Sequence, residues 1–120
     1  MNVQEFYTAI GGDYTEALSR LMNDALILRF VGKFAEDPNF AGLSRTIADG
    51  NWEEAFSFSH TLKGVALNLA FSRLSKACVA LTDALRPQNR ATLTPAAAET
   101  LFAAVQTEYA RVTSALSELG

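Results

Sequence analysis

Apolar residues recur along the chain at intervals of three and four, the spacing of one face of an α-helix, and strand-like alternation is hard to find. A short helix is predicted over about residues 2–10, ended by Gly11-Gly12. Asp13 opens a second helix, with Glu16 in the capping-box position. Leu18, Leu21, Ala25, Leu28 and Ala35, joined by Ile27, Phe30, Val31 and Phe34, predict one continuous helix to residue 35. Its broad apolar face places it centrally. Asp37-Pro38 starts another helix, with Phe40, Leu43 and Ile47 inward and Gly50 as its stop.

Asn51 caps the next helix, with Glu54 at the capping-box position. That helix carries Trp52, Ala55, Phe58, Leu62, Val65 and Leu69, and it breaks around Ala70-Phe71-Ser72. Leu74, Cys78, Leu81 and Leu85 mark the following helix, and residues 87–93 read as a polar loop. Thr94-Pro95 starts a last helix with the stripe Leu101, Val105, Val112, Leu116 and Leu119. Helices joined by short turns pack antiparallel. The expected fold is all-α: an antiparallel four-helix bundle with one or two extra short N-terminal helices, as one domain over residues 1–120.

Composition narrows the possibilities. With 120 residues, 49% hydrophobic and 19% charged, the chain is long and apolar enough for a core and does not suit disorder. A net charge of −3 makes nucleic acid a poor partner. The one cysteine, Cys78, has no internal partner for a disulfide and reads as a core residue on the Leu74/Leu81 stripe. No apolar run approaches the ~20 residues of a membrane span. The N-terminus lacks the basic start and apolar stretch of a signal peptide, so the expected location is cytoplasmic, without membrane contact.

Much chemistry is missing. The sequence has no phosphate-binding P-loop, glycine-rich dinucleotide turn or nucleophile elbow. One histidine and one cysteine do not make a usual zinc site, and the neighbouring carboxylates Glu53-Glu54 point apart on a helix. An autonomous enzyme is not expected, and neither is a metal or cofactor bound by this chain.

His60 is the one group suited to nucleophilic work near neutral pH. At ~100° per residue it falls opposite Ala55, Leu62 and Leu69, so its ring is expected in solvent. Lys63, Gly64, Phe56, Leu67 and Phe71 share its face. A glycine inside a helix costs about 1 kcal/mol against alanine, which close approach of another molecule would offset. The apolar residues form a candidate docking patch. Residues 60–90 carry Lys63, Arg73, Lys76, Arg86 and Arg90 against Asp83 alone, so this segment is basic within an acidic chain. A plain structural account competes: Phe56, Leu67 and Phe71 pack on the first helix, and Gly64 permits a helix crossing.

The run Ser59-His60-Thr61-Leu62-Lys63-Gly64, then Asn68-Leu69, then Leu74, Cys78 and Leu81, resembles histidine-containing phosphotransfer domains, whose hallmark is H-x-L-K-G on a helix of a four-helix bundle. The resemblance extends over nearly the whole chain. It implies a phosphorelay intermediate without kinase activity of its own, taking a phosphoryl group from one receiver-domain aspartate and passing it to another. His60 would be the phosphoacceptor through Nε2. Lys63 would neutralise phosphoryl charge, and Gly64 would leave room for the receiver loops. Implied partners are response-regulator receiver domains, which carry the Mg²⁺, with a hybrid sensor histidine kinase as a further candidate; the chain itself is expected to be a monomer.

Two positions depart from the family pattern. Ala70 stands where the family has glycine at the end of the histidine helix. The polar residue that holds the histidine's other nitrogen falls near Thr82 or Asp83, and Thr82 takes that role here. A non-catalytic helical adaptor, binding through Phe56, Leu67 and Phe71, is the alternative.

Overall fold

Side chains that close helix ends explain most of the element boundaries. A computed structural model describes residues 1–119; Gly120, the last residue of the expected domain, lies outside the described residues. Helix α1 (Val3–Ile10) starts at Asn2, whose side chain accepts from the Glu5 amide while the Glu5 carboxylate accepts from the Asn2 amide. Helix α2 (Tyr14–Leu21) is capped by Asp13, and α5 (Trp52–Asn68) by Asn51, each side chain accepting from the amide three residues on. In neither helix does the glutamate reach back, so these are single caps rather than the expected boxes. Helix α4 spans Asn39–Ala48, and Asp37 accepts from the Asn39 amide at its start. Helices α6 (Ser72–Ala84) and α7 (Pro95–Leu116) follow, and the last is capped by Thr94. Between them, Pro87–Thr92 winds into a 3-10 turn instead of an open loop.

The continuous helix expected over residues 13–35 is two helices. Met22 takes φ 78°, positive for a non-glycine residue, and Asn23 caps a new helix, α3 (Asp24–Phe34), by accepting from the Leu26 amide. Asn23-Asp24 is a cap followed by an acidic first turn, and it wins over the apolar pattern that runs across the break. The consequence is a layer of three short helices, α1 to α3, in place of one or two. Ile27, Val31 and Phe34 are buried from α3, whereas Ala25, Leu28, Phe30 and Ala35 remain exposed. The segment covers the bundle and is not its centre.

The bundle itself is α4 to α7. Each packs on the next, and α7 returns to α4 to close the ring. The N-terminal layer seals the end where α5 turns into α6. Phe71 in that turn meets Phe6, Tyr7 and Phe34 at ring separations of 5.9, 5.8 and 5.3 Å. The Tyr7 hydroxyl donates to the Leu69 carbonyl at 2.7 Å, and the Asp13 amide donates to the Ala70 carbonyl at 2.9 Å. Arg20 of α2 donates to the Leu67 carbonyl, satisfying one of the last carbonyls of α5.

The α5 end is a Schellman turn: Phe71 N–H bonds Ala66 C=O, Ala70 N–H bonds Leu67 C=O, and Ala70 takes φ 58°. The same turn ends α1 and α4 with Gly11 and Gly50 in the left-handed position. Elsewhere α4 lies close enough to α5 that a Cβ on Gly42 would come within 2.4 Å of the Phe58 ring.

Candidate functional site

The middle of α5 has two chemically distinct faces. Ala55, Ser59, Leu62 and Ala66 are buried in the bundle. Ser59 is polar, and it is satisfied: its Oγ lies 2.6 Å from Thr82 Oγ1 on α6, with both residues fully buried. One residue on, the chain turns about 100° and His60 points outward. His60 is exposed, and none of the side-chain hydrogen bonds or ion pairs among the described residues involves its ring.

Its surroundings come from three elements. Phe56, one turn earlier on α5, stacks with the imidazole at a ring separation of 5.9 Å and an interplanar angle of 24°. Lys63 is half-buried one turn later and in none of those ion pairs. Gly64 lies beside it, and a Cβ placed there would meet nothing within 4 Å. Leu67, 44% exposed, continues the face. From beyond the end of α6, Arg86 and Arg90 bring their guanidinium carbons to 6.0 and 5.6 Å from the Phe56 ring centre. Arg86 is paired with Asp83 at 3.1 Å, whereas Arg90 Nε donates to the uncharged Leu85 carbonyl at 2.9 Å.

Basic charge therefore collects here more selectively than the sequence shows. Lys63, Arg86 and Arg90 lie around Phe56 and His60. Arg73 and Lys76, from the same basic segment, instead line a groove between α6 and α7, where Arg73 pairs with Glu108 at 3.1 Å. The part played by Arg86 and Arg90 at Phe56 was not legible beforehand, because it depends on how the chain winds after α6.

Two expected site residues are placed elsewhere. Phe71 is 1% exposed and belongs to the core, so it lines no docking patch. The helical extrapolation fails there because α5 ends at Asn68 and the left-handed Ala70 reverses the chain before Phe71. Thr82 is on the right helix at the right level, but its hydroxyl is committed to Ser59 and does not hold His60. Its short side chain reaches the inward-facing neighbour of the histidine and no further. Asp83, the other candidate, pairs with Arg86 at the surface. The outward face is thus the exposed His60 and Leu67 with the half-buried Phe56, Lys63 and Gly64, and the two arginines lie at one end.

Cys78 is buried on α6, and its thiol is pushed up to about 12 by desolvation, which suits packing and not nucleophilic use. No helix among the described residues is long and apolar enough to cross a membrane. The arrangement offers an exposed imidazole, a lysine one turn away that is in no ion pair among the described residues, and an open approach at Gly64.

A model of the Hpt domain matches residues 14–115, which takes in α2 to α6 and nearly all of α7. Comparison with curated proteins finds no match, and comparison with solved structures finds none.

Proposed function

The chain belongs to the Hpt-domain family and has a phosphotransfer role in two-component signalling, and from this premise we propose that His60 is the residue that carries the phosphoryl group between receiver domains. The observation that carries the proposal is the exposed imidazole with Lys63 one turn on and open space at Gly64. In the proposed step, the lone pair of His60 Nε2 attacks the phosphorus of a receiver's aspartyl phosphate. The Nε2–P bond forms as the P–O bond to aspartate breaks, and the carboxylate leaves with the bonding electrons. The reverse attack, by a second receiver's aspartate, returns the imidazole.

Such a step needs alignment and charge stabilisation more than acid–base machinery. Gly64 permits in-line approach of the receiver loops. Lys63 offsets negative charge on the phosphoryl oxygens. The Mg²⁺ belongs to the receiver. Phe56 and Leu67 bury apolar area against it, and the arginines beyond Phe56 suit its acidic rim. On this reading the chain is a cytoplasmic, monomeric carrier without kinase activity, served by receiver domains and by the kinases that load them.

The test is phosphotransfer from a panel of phosphorylated receiver domains. Wild type is expected to acquire label that is stable in alkali and labile in acid, as phosphohistidine is. His60→Ala is expected to acquire none while keeping its helix content, and Lys63→Ala to acquire label more slowly. Receiver binding without label would favour the adaptor role instead.

A further inference from the structure

Among the described residues the His60 ring has no hydrogen bond to orient it, yet a phosphoacceptor must be aimed. It does stack with Phe56. The position four residues earlier lies about 6 Å nearer the helix N-terminus. Helical side chains lean that way, so His60 leans over Phe56 and Phe56 leans toward the end of α6. There Phe56 meets Arg86 and Arg90, whose guanidinium carbons are 6.0 and 5.6 Å from its ring centre. Both cations are themselves tethered, Arg86 to Asp83 and Arg90 to the Leu85 carbonyl. The 3-10 turn Pro87–Thr92, which carries Arg90, fixes the far end of this stack.

We propose that Phe56 is the positioning residue for His60, held in turn by Arg90, so that stacking aims the imidazole where Thr82 does not. A cation–π contact favours the ring face, which keeps Phe56 from swinging into solvent and leaves its other surroundings to the imidazole. Neither ring nitrogen of His60 has a partner among the described residues, which leaves both available to the incoming group and to water. This inference deepens the phosphotransfer reading and rests on it only for its kinetic half.

Nuclear magnetic resonance of the unphosphorylated full chain supplies the other half. With the two rings 5.9 Å apart and 24° from parallel, the His60 ring protons lie within reach of the Phe56 ring current. Phe56→Leu is expected to move them toward the positions of a free histidine, Phe56→Tyr to leave them in place, and Arg90→Gln to move them part of the way. In transfer from a phosphorylated receiver, Phe56→Leu is expected to lower kcat roughly tenfold with KM little changed, because misaligning a reacting group slows the step itself. Phe56→Tyr is expected to restore the rate.

Unmoved His60 signals in Phe56→Leu would overturn the proposal. So would an Arg90→Gln variant with unmoved signals, which would show that Arg90 does not hold the Phe56 ring. Should wild type take no label from any receiver, the phosphotransfer reading fails, while the resonance shifts still decide whether Phe56 stacks on His60 and whether Arg90 holds it there.

Discussion

Ser59 Oγ and Thr82 Oγ1 lie 2.6 Å apart in the bundle interior, one residue away from the exposed His60. The bond ties α5 to α6 at the level of the site. It also explains why the α6 position expected to orient the histidine does not: its hydroxyl is already satisfied by the neighbour that faces inward.

Removing one partner should cost more than removing both. Thr82→Val leaves a buried Ser59 hydroxyl without its partner, at a cost of about 1–3 kcal/mol. Ser59→Ala is expected to fall in the same range. The double substitution Ser59→Ala/Thr82→Val is expected to be less destabilised than the sum of the two, read from denaturant unfolding in a double-mutant cycle. Additive losses would show that the two hydroxyls act independently.

Two helical glycines should respond to alanine with opposite sign. At Gly64 nothing obstructs a Cβ, so Gly64→Ala is expected to gain about 0.5–1 kcal/mol of stability from helix propensity. Phosphotransfer should slow all the same if, as proposed, the receiver approaches across Gly64, because the methyl would then stand in its way. At Gly42 the methyl would meet Phe58 at 2.4 Å, and Gly42→Ala is expected to lose about 1–3 kcal/mol. Thermal unfolding read beside the transfer rate checks both.

Ala70 occupies a left-handed position, φ 58°, in the turn that Gly11 and Gly50 occupy at the ends of α1 and α4. Its Cβ is strained there, at roughly 1–2 kcal/mol. Ala70→Gly relieves that strain but gains freedom in the unfolded chain, so the net expectation is about 1 kcal/mol of stabilisation. A rise of about 4 °C in Tm would register it. An unchanged or lower Tm would show that the buried Ala70 methyl contributes packing that outweighs the strain.

Cys78 should be inert in the native protein. Its thiol stays protonated up to about 12, so a thiolate-directed reagent at pH 8 is expected to modify it only as the chain unfolds. Tyr7, also buried, has its hydroxyl pushed upward by desolvation. Both groups are raised acids kept neutral by the fold, and the sign follows from that. Their contribution is complete below their ordinary ionisation, and it is lost as pH climbs from about 9 toward 12, where the unfolded chain ionises first. Denaturation midpoints should decline across that window. Fast labelling of the folded chain at pH 8 would contradict the burial of Cys78.

The all-α class, most helix boundaries and the face of α5 that carries His60 were determined by the sequence alone. Local chemistry defines them: Asp13, Asn51 and Thr94 cap helices, Gly11 and Gly50 end them, and a rigid 3.6-residue repeat places His60, Lys63 and Gly64 together. Tertiary structure decided what that repeat does not reach. The apolar stripe through residues 13–35 ran past the Met22 turn, since either arrangement offers apolar residues to a core. Phe71 left the docking face because helical geometry stops at Ala70, and burial against Phe6, Tyr7 and Phe34 is a long-range outcome. Thr82 turned to Ser59, and Arg86 and Arg90 came to Phe56, through packing between helices distant in sequence. Spacing along one helix fixes directions; which group waits in each direction is settled only when the other helices arrive.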